Sequence, residues 1–328
     1  MNKPTENKPT KKKRRESVKL DETVKLLFEV SKDLLVTTLN SLFNESFDAD
    51  SVTIEKTATE YPKHNFDIIR ADMFLKVTDN MKSRHYHIEI QTEPDGDMII
   101  RMFEYDLQKA LDIYRLQNTK NDIPLLCMPK SLVIHIEDGG SVPESEHRAC
   151  LMLADGTLIN YTVPVMRYFE YDTNKLIKEN LYTLLPLQLY SLRAELDKLT
   201  ENNDEQAKKQ AVSKAIALTE KLTLEVVKLY DGNKFDINDL DKIISALNEL
   251  YRHLKVRYDI SKEISGGVDR MIKTMYDERV AQKAEKQAEK RKAVEIATEM
   301  LIEGEPIEKI IKYTKLTETE VKEIQKTS

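Results

Sequence analysis

The spacing of apolar and polar residues divides the first half of the chain into helical and strand-like segments. Apolar side chains that recur every three or four positions indicate helices, and alternating β-branched stretches indicate strands. A helix from Asp21 to Phe43 opens the series, with Asp21 placed to cap its first turn. The segments that follow are strands at 51–57, 72–78 and 84–92, a helix at 97–117, a strand at 131–137 and one or two strands within 150–171.

The second half of the chain carries only helical spacing. Thr317 and Glu320 have the spacing of a capping box at the start of the last predicted helix. The predicted helices are 175–199, 205–229, 239–258, 276–300, 307–313 and 319–325.

This order predicts an α/β fold with a mixed sheet, followed by a mostly α-helical C-terminal region. The length of 328 residues favours two or three domains. We expect a disordered basic tail at 1–20, an α/β core at 21–174, a helical region at 175–275, and a long helix with a short helical tail at 276–328.

Composition narrows the class of protein. The chain has no apolar run near 18 residues and no secretory h-region, so we expect a soluble cytoplasmic protein with no membrane partner. Cys127 and Cys150 fit no zinc spacing and are expected to be reduced thiols.

Charge is unevenly distributed along the chain. The net charge is −6, but the first 20 residues contain eight Lys or Arg and two Glu. The rest is strongly acidic, which argues against a dedicated high-affinity duplex binder. The basic stretch Lys11–Arg15 is either a solubilising tail or a contact to nucleic acid.

The predicted hairpin at 72–92 carries the candidate chemistry. Side chains alternate between the faces of a strand, so Asp72 shares a face with Glu89 and Gln91 of the neighbouring strand. A four-residue turn at Asn80–Ser83 would pair Asp72 with Gln91 and leave Glu89 on the diagonal. A shift of two residues keeps the acids on one face, and a shift of one separates them.

Two carboxylates in this arrangement suit Mg²⁺ or another divalent cation, which prefers oxygen ligands. Such an ion can activate water and stabilise the charge that develops on a phosphodiester. Gln91 is placed to orient the attacking water. An ordinary solvated strand face is the alternative; His85 and His87 could also indicate zinc with Glu89, although no four-ligand set is visible. Asp67 is a competing acid.

The helix after the hairpin contributes Arg101 and Tyr105, which lie four residues apart on one face. Arg101 could clamp a phosphate, with Tyr105 contacting the phosphate or supporting the site. Alternatively, Arg101 pairs with Glu104, Asp97 or Glu89 and closes the helix against the sheet.

The segment His87–Tyr105, preceded by Arg70–Asp72, resembles the recombination-promoting nuclease (Rpn) family, also described as YhgA-like putative transposases. That family belongs to the PD-(D/E)XK nuclease superfamily. Three further segments resemble the family in the same order, and the likeness spans most of 21–325. They are Asp21–Phe28, Leu184–Gln188, and the C-terminal stretch from Ala297 to Leu316.

The resemblance implies a restriction-endonuclease-like sheet core in residues 21–174 and a metal-dependent DNA endonuclease linked to recombination. It assigns Asp72 and Glu89 as the metal-binding and catalytic acids. Gln91 stands where the superfamily most often has lysine, although Glu-x-Gln is common within the family.

Two alternatives remain beside the nuclease. The fold could be a catalytically weak nuclease scaffold used for DNA binding, defence or regulation, which the acidic body and the missing lysine favour. The last two helices could form a DNA-binding helix-turn-helix, but the second is acidic. We therefore expect a packing tail, or one through which copies of the chain associate into a homo-oligomer.

Overall fold

A computed structural model describes most of the chain. The described residues are 23–57, 59–62, 68–70, 72–80, 82–92, 96–117, 123–200, 205–260 and 262–327. Two compact units divide at residue 269, with Arg270–Ser328 forming the second. The expected boundaries near 20, 174 and 275 stay predictions, and the basic tail, Asp21 and Asp67 lie outside the described residues.

The first unit contains a six-stranded mixed sheet and a separate two-stranded ribbon, as the α/β prediction required. In the large sheet the strands lie in the order β1-β4-β5-β6-β8-β7, and β2 pairs with β3. The strands are β1 Val52–Thr57, β2 Glu60–Pro62, β3 Ile68–Arg70, β4 Met73–Asp79, β5 Lys82–Gln91, β6 Lys130–His135, β7 Glu146–Met152 and β8 Leu158–Arg167.

At the centre of the large sheet the strand pairing changes from antiparallel to parallel. β1 pairs antiparallel with β4, and β4 antiparallel with β5; β5, β6 and β8 then run parallel to one another, and β7 is antiparallel to β8. The parallel step from β5 to β6 requires a crossover, which the helix α2 (Met98–Gln117) provides. Every residue from Tyr86 to Ile90 is buried, so β5 is covered on both faces.

The hairpin between β4 and β5 is tighter than the sequence predicted. Phe74 pairs with His87 and Asp79 with Lys82, so the predicted pairing of Asp72 with Gln91 is wrong by two residues. Asn80, at φ 45°, lies in the two-residue connection. Two-residue loops with positive φ match the twist of the strands they join, which favours the shorter turn. The two-residue shift leaves the faces unchanged.

The first predicted helix is interrupted. Residues 23–27 are helical, and a second helix, α1, begins at Lys32 and ends at Phe43. Ser31 caps α1 by accepting a hydrogen bond from the Leu34 amide, while its own amide and hydroxyl both donate to Asp239, each over 2.6 Å. Because the Ser31 side chain accepts from a backbone amide that has no partner within the helix, a new helix begins after Ser31.

The helical part of the first unit also begins with an interruption. The helix predicted at 175–199 is two helices, because Asn180 adopts a left-handed φ of 56° and a 3₁₀ turn at Tyr182–Leu184 precedes Pro186. The helices of this part are α3 Thr173–Lys178, α4 Leu187–Thr200, α5 Glu205–Asp231 and α6 Ile237–Arg257. A long helix, α7 (Lys262–Ile302), then contains the boundary between the units.

The second unit ends in two short helices, α8 (Ile307–Thr314) and α9 (Glu318–Thr327). The predicted capping box is confirmed: the Thr317 amide donates to Glu320, and the Glu320 amide donates back to the Thr317 hydroxyl. The buried cluster that joins these helices to the end of α7 consists of Ala297, Ile310, Leu316 and Val321. None of the helices described combines the length and apolar character that crossing a bilayer requires.

Candidate active site

The candidate residues lie at one end of the sheet, where the parallel strands β5, β6 and β8 reach their carboxyl ends; this end is called the sheet edge below. Gln91 is the register partner of His135, and His135 is the partner of Arg167. Ligands of open α/β sheets commonly bind beyond the carboxyl ends of parallel strands. The edge is therefore the expected place for a functional site.

Asp72 and Glu89 come together at this edge. Asp72 directly precedes β4, and its backbone amide donates to Glu89 Oε2 over 3.0 Å. Its side-chain Oδ2 accepts a hydrogen bond from the Ile90 amide over 2.7 Å. The tight hairpin thus brings the two acids closer than the diagonal arrangement predicted from the sequence.

Arg101 neutralises Glu89 from the first turns of α2. The Arg101 Nη2 atom lies 2.9 Å from Glu89 Oε1, and the Glu89 side chain is only 4% exposed. Glu89, one of the three acids considered as partners for Arg101, is therefore paired with it. The Arg101 side chain is 36% exposed and leads from the buried acid toward solvent.

Tyr105 supports Arg101 from one turn further along α2. The Arg101 Nε donates to the Tyr105 hydroxyl over 3.3 Å, and the guanidinium lies 5.8 Å from the ring centre. Burial raises the pKa of the Tyr105 phenol, although Arg101 opposes that shift. Tyr105 is therefore a neutral group that positions the arginine.

His87 lies behind Glu89 and was not singled out as a supporting residue by the sequence. Its Nδ1 is 2.7 Å from Asp106 Oδ1, its Nε2 is 3.6 Å from Glu89 Oε2, and its ring stacks on Phe74. Burial alone lowers the pKa of His87, but Asp106 and Glu89 outweigh burial and raise it to about 9. His87 is thus a buried cation between two carboxylates.

Asp106 anchors this arrangement. Its second oxygen accepts hydrogen bonds from the Ser131 and Tyr161 hydroxyls, each over 2.6 Å. An acid with three strong partners holds the His87 ring in one orientation. In sequence, only the spacing His87-x-Glu89 hinted at this role, because the partner Asp106 lies on another element.

The zinc alternative with His85 and His87 gains no support. His87 is held by Asp106, and His85 is the register partner of Lys76, away from Glu89. Burial, followed by the charges of Lys109 and Lys76, lowers the pKa of His85 to about 4. Across the described part of the chain, no three His, Cys, Asp or Glu side chains form a metal-ligating group.

Gln91 is half-buried, two residues beyond Glu89 on the same face of β5. Beside it, His135 Nε2 lies 3.0 Å from His147 Nε2. Burial, followed by the charges of His147 and Arg167, lowers the pKa of His135 to about 4. No sequence pattern indicated this histidine pair, because its members lie on strands that are not adjacent in the sheet.

Comparisons with models of protein families, with curated proteins and with solved structures gave no match.

The residues at this edge fit a hard divalent cation in type and arrangement. The Asp72 amide donates to the Glu89 carboxylate, and the Asp72 carboxylate accepts from the amide of Ile90, the residue after Glu89. An oxygen that accepts one N–H bond retains a lone pair for a cation. A cationic group, the Arg101 guanidinium, already contacts Glu89. Binding of a cation by both acids therefore requires that Arg101 release Glu89 Oε1.

Proposed function

We propose that this protein is a metal-dependent DNA endonuclease of the recombination-promoting nuclease, or putative transposase, type, hydrolysing phosphodiester bonds with little sequence preference. The hydrogen bonds that join Asp72 to Glu89 and to the Ile90 amide carry the proposal, because they hold the two acids next to each other. Two adjacent carboxylates at the carboxyl end of a parallel strand are a suitable holder for Mg²⁺ or a similar ion.

Each residue of the site has a role in this proposal. Asp72 and Glu89 hold the cation, which when bound lowers the pKa of water and stabilises negative charge on the scissile phosphate. Gln91 orients the attacking water through its amide. Arg101 contacts the phosphate, and Tyr105 holds the arginine in place.

Arg101 links substrate binding to opening of the site. A phosphodiester offers the guanidinium the same kind of bidentate partner that Glu89 offers. When DNA takes over Arg101, Glu89 loses its arginine partner and keeps only the Asp72 amide and His87, so its affinity for a divalent cation rises. Cation and DNA should therefore bind with positive cooperativity.

A second candidate is a nuclease scaffold that binds DNA or regulates a defence process with little or no cleavage. The Arg101–Glu89 pair favours it, because a neutralised acid has less need of a metal. Gln91 favours it as well, since an amide cannot act as the cationic acid–base group that a lysine provides.

Plasmid nicking with and without Mg²⁺ separates the two candidates. The nuclease proposal expects Mg²⁺-dependent nicking by the parent protein and loss of nicking in Glu89→Ala. Glu55→Ala is a matched control, because Glu55 is an exposed acid on the same sheet, paired with Lys76. Salt-dependent DNA binding without nicking would favour the scaffold instead.

DNA as the substrate implies a cytoplasmic location with access to nucleic acid. We further propose that the C-terminal helices are where copies of the chain associate. Ile302 and Tyr313 expose 76% and 66% of their surface there, which suits contact with a second copy. Light scattering of the full chain and of Tyr313→Glu tests this association.

A further inference from the structure

The histidine pair at the sheet edge is built from two strands that flank a third. His135 ends β6, His147 lies in β7, and β8 runs between these strands. Their Nε2 atoms nevertheless lie 3.0 Å apart, with the rings tilted by 42°. Both side chains therefore reach over β8 to the same point.

The short contact restricts the protonation of the pair. Two imidazolium rings would point N–H donors at each other, so at least one Nε2 carries a lone pair directed at the other ring. When the donor ring carries its proton on Nδ1 instead of Nε2, both rings stay neutral and both Nε2 lone pairs become available in the space between them. That is the arrangement in which imidazoles bind a transition metal.

The separation of the nitrogens indicates the coordination geometry. With metal–nitrogen bonds of about 2.0–2.1 Å, nitrogens 3.0 Å apart subtend roughly 91–97° at the metal. This angle suits neighbouring positions of tetragonal or octahedral ions such as Cu²⁺ and Ni²⁺. A tetrahedral Zn²⁺ needs a separation of roughly 3.3–3.4 Å, a small opening of the pair.

The surroundings permit a cation. Arg167, the register partner of His135, is itself paired with Glu170 over 2.7 Å, so its charge is largely balanced. His135 is 2% exposed, whereas His147 is half-buried. An ion can thus approach from the His147 side, and because no third His, Cys, Asp or Glu joins the pair within the described residues, water completes its coordination.

We propose that His135 and His147 form a binding site for a transition-metal cation of the Ni²⁺, Cu²⁺ or Zn²⁺ class. The site is distinct from the Asp72–Glu89 carboxylates and does not depend on nuclease activity. The two sites differ in ligand chemistry, because neutral imidazole suits these metals and carboxylate suits Mg²⁺.

Calorimetric titration of chelator-treated full chain with Ni²⁺, in excess Mg²⁺, tests the site. The parent should bind one Ni²⁺ per chain at this pair, and His147→Asn should weaken that binding at least tenfold. Two controls should leave the Ni²⁺ affinity unchanged: His85→Asn, which removes an imidazole that has no imidazole partner among the described residues, and Glu89→Ala, which removes the carboxylate site.

A spectroscopic measurement distinguishes loss of one ligand from unfolding of the variant. Electron paramagnetic resonance of the Cu²⁺ complex should show coupling to two imidazole nitrogens in the parent and to one in His147→Asn. Ni²⁺ binding of equal strength in His147→Asn would overturn the proposal. A rise in the Tm of the parent with inorganic phosphate, together with no Ni²⁺ binding, would also overturn it, since that result would identify an anion site.

Discussion

Two arginine–carboxylate pairs at the end of the sheet look alike but have different surroundings. Glu89 on β5 pairs with Arg101 of α2, and Glu137, just beyond β6, pairs with Arg193 of α4. Arg193 donates to Glu137 through both Nε and Nη2, and its own side chain is only 10% exposed.

The difference lies in the neighbouring charges. Near Arg193, the next carboxylate, Asp197, has a bidentate partner in Arg257 at 3.0 and 2.6 Å. Around Glu89, the contacts of the described residues bring Asp72, Glu89 and Asp106 together with one arginine and one histidine. Each helical pair joins one acid to one arginine, whereas the contacts at the end of the sheet join three acids to one arginine and one histidine within the described residues, an arrangement that suits a cation site.

The largest contrast should appear in cleavage. Glu89→Gln is expected to lower Mg²⁺-dependent nicking by on the order of 1,000-fold, because it removes one of two carboxylate ligands. Glu137→Gln should leave the rate within a factor of a few. Initial rates of plasmid nicking at matched protein concentration measure both, and equal rates for the two variants would erase the distinction.

Stability should show the reverse contrast. Arg193→Met leaves Glu137 without its partner in a largely buried place and should lower the free energy of unfolding by about 3 kcal/mol. Arg101→Met should cost less, because Arg101 is 36% exposed. Urea unfolding of both variants tests this order.

The effect of Mg²⁺ on thermal stability should also differ between Arg101→Met and Arg193→Met. The ion should raise the Tm of Arg101→Met more than that of the parent, since the freed Glu89 can bind it. Arg193→Met should show no greater response than the parent. A gain in both variants would mean that Mg²⁺ acts elsewhere on the protein.

The two histidines near the site should respond to pH in opposite directions. The pKa of His87 is raised to about 9, so its contribution to stability is complete below its unfolded value near 6.5 and is lost as pH rises toward 9. The pKa of His135 is lowered to about 4, so its contribution is present above 6.5 and is lost as pH falls toward 4.

Unfolding of the parent, His87→Gln and His135→Gln at pH 5, 7 and 9 checks these signs. The difference between parent and His87→Gln should shrink at high pH. The difference between parent and His135→Gln should shrink at low pH. Parallel profiles would contradict the assignment of the two charge states.

The smallest effect is expected at the surface of the sheet. Lys76 and Glu55 form an ion pair 3.2 Å apart with both side chains substantially exposed. Such pairs contribute less than about 1 kcal/mol, so Glu55→Gln should be close to neutral in urea unfolding. A large loss there would show that burial does not distinguish the two kinds of pair.

The sequence was sufficient to predict the α/β class, the strands of the large sheet and most of the helices. Alternation along 72–78 and 84–92 depends only on the strand period, so it survived an error of two residues in the turn. The residue-to-residue pairing of β4 with β5 could not be predicted, because a tight connection at Asn80 and a four-residue turn fit the same alternation of side chains.

The partners of the acids were harder to predict. Arg101 had three possible carboxylates within helical reach or across the sheet, and sequence alone offered no basis for choosing among them. His87 and Asp106 are 19 residues apart and lie on different elements. His135 and His147 are 12 residues apart, on β6 and β7. Such contacts depend on tertiary packing that local periodicity does not contain.

The hydrogen bond from the Asp72 amide to Glu89 belongs to the main chain, so changing the side chain of Asp72 leaves it in place. Asp72→Asn can remove the charge while the tether to Glu89 persists. Only Asp72→Pro, which has no amide hydrogen, cuts the tether itself. Asparagine therefore removes the charged ligand alone, whereas proline removes the ligand and the tether together, and the difference between the two variants measures the tether.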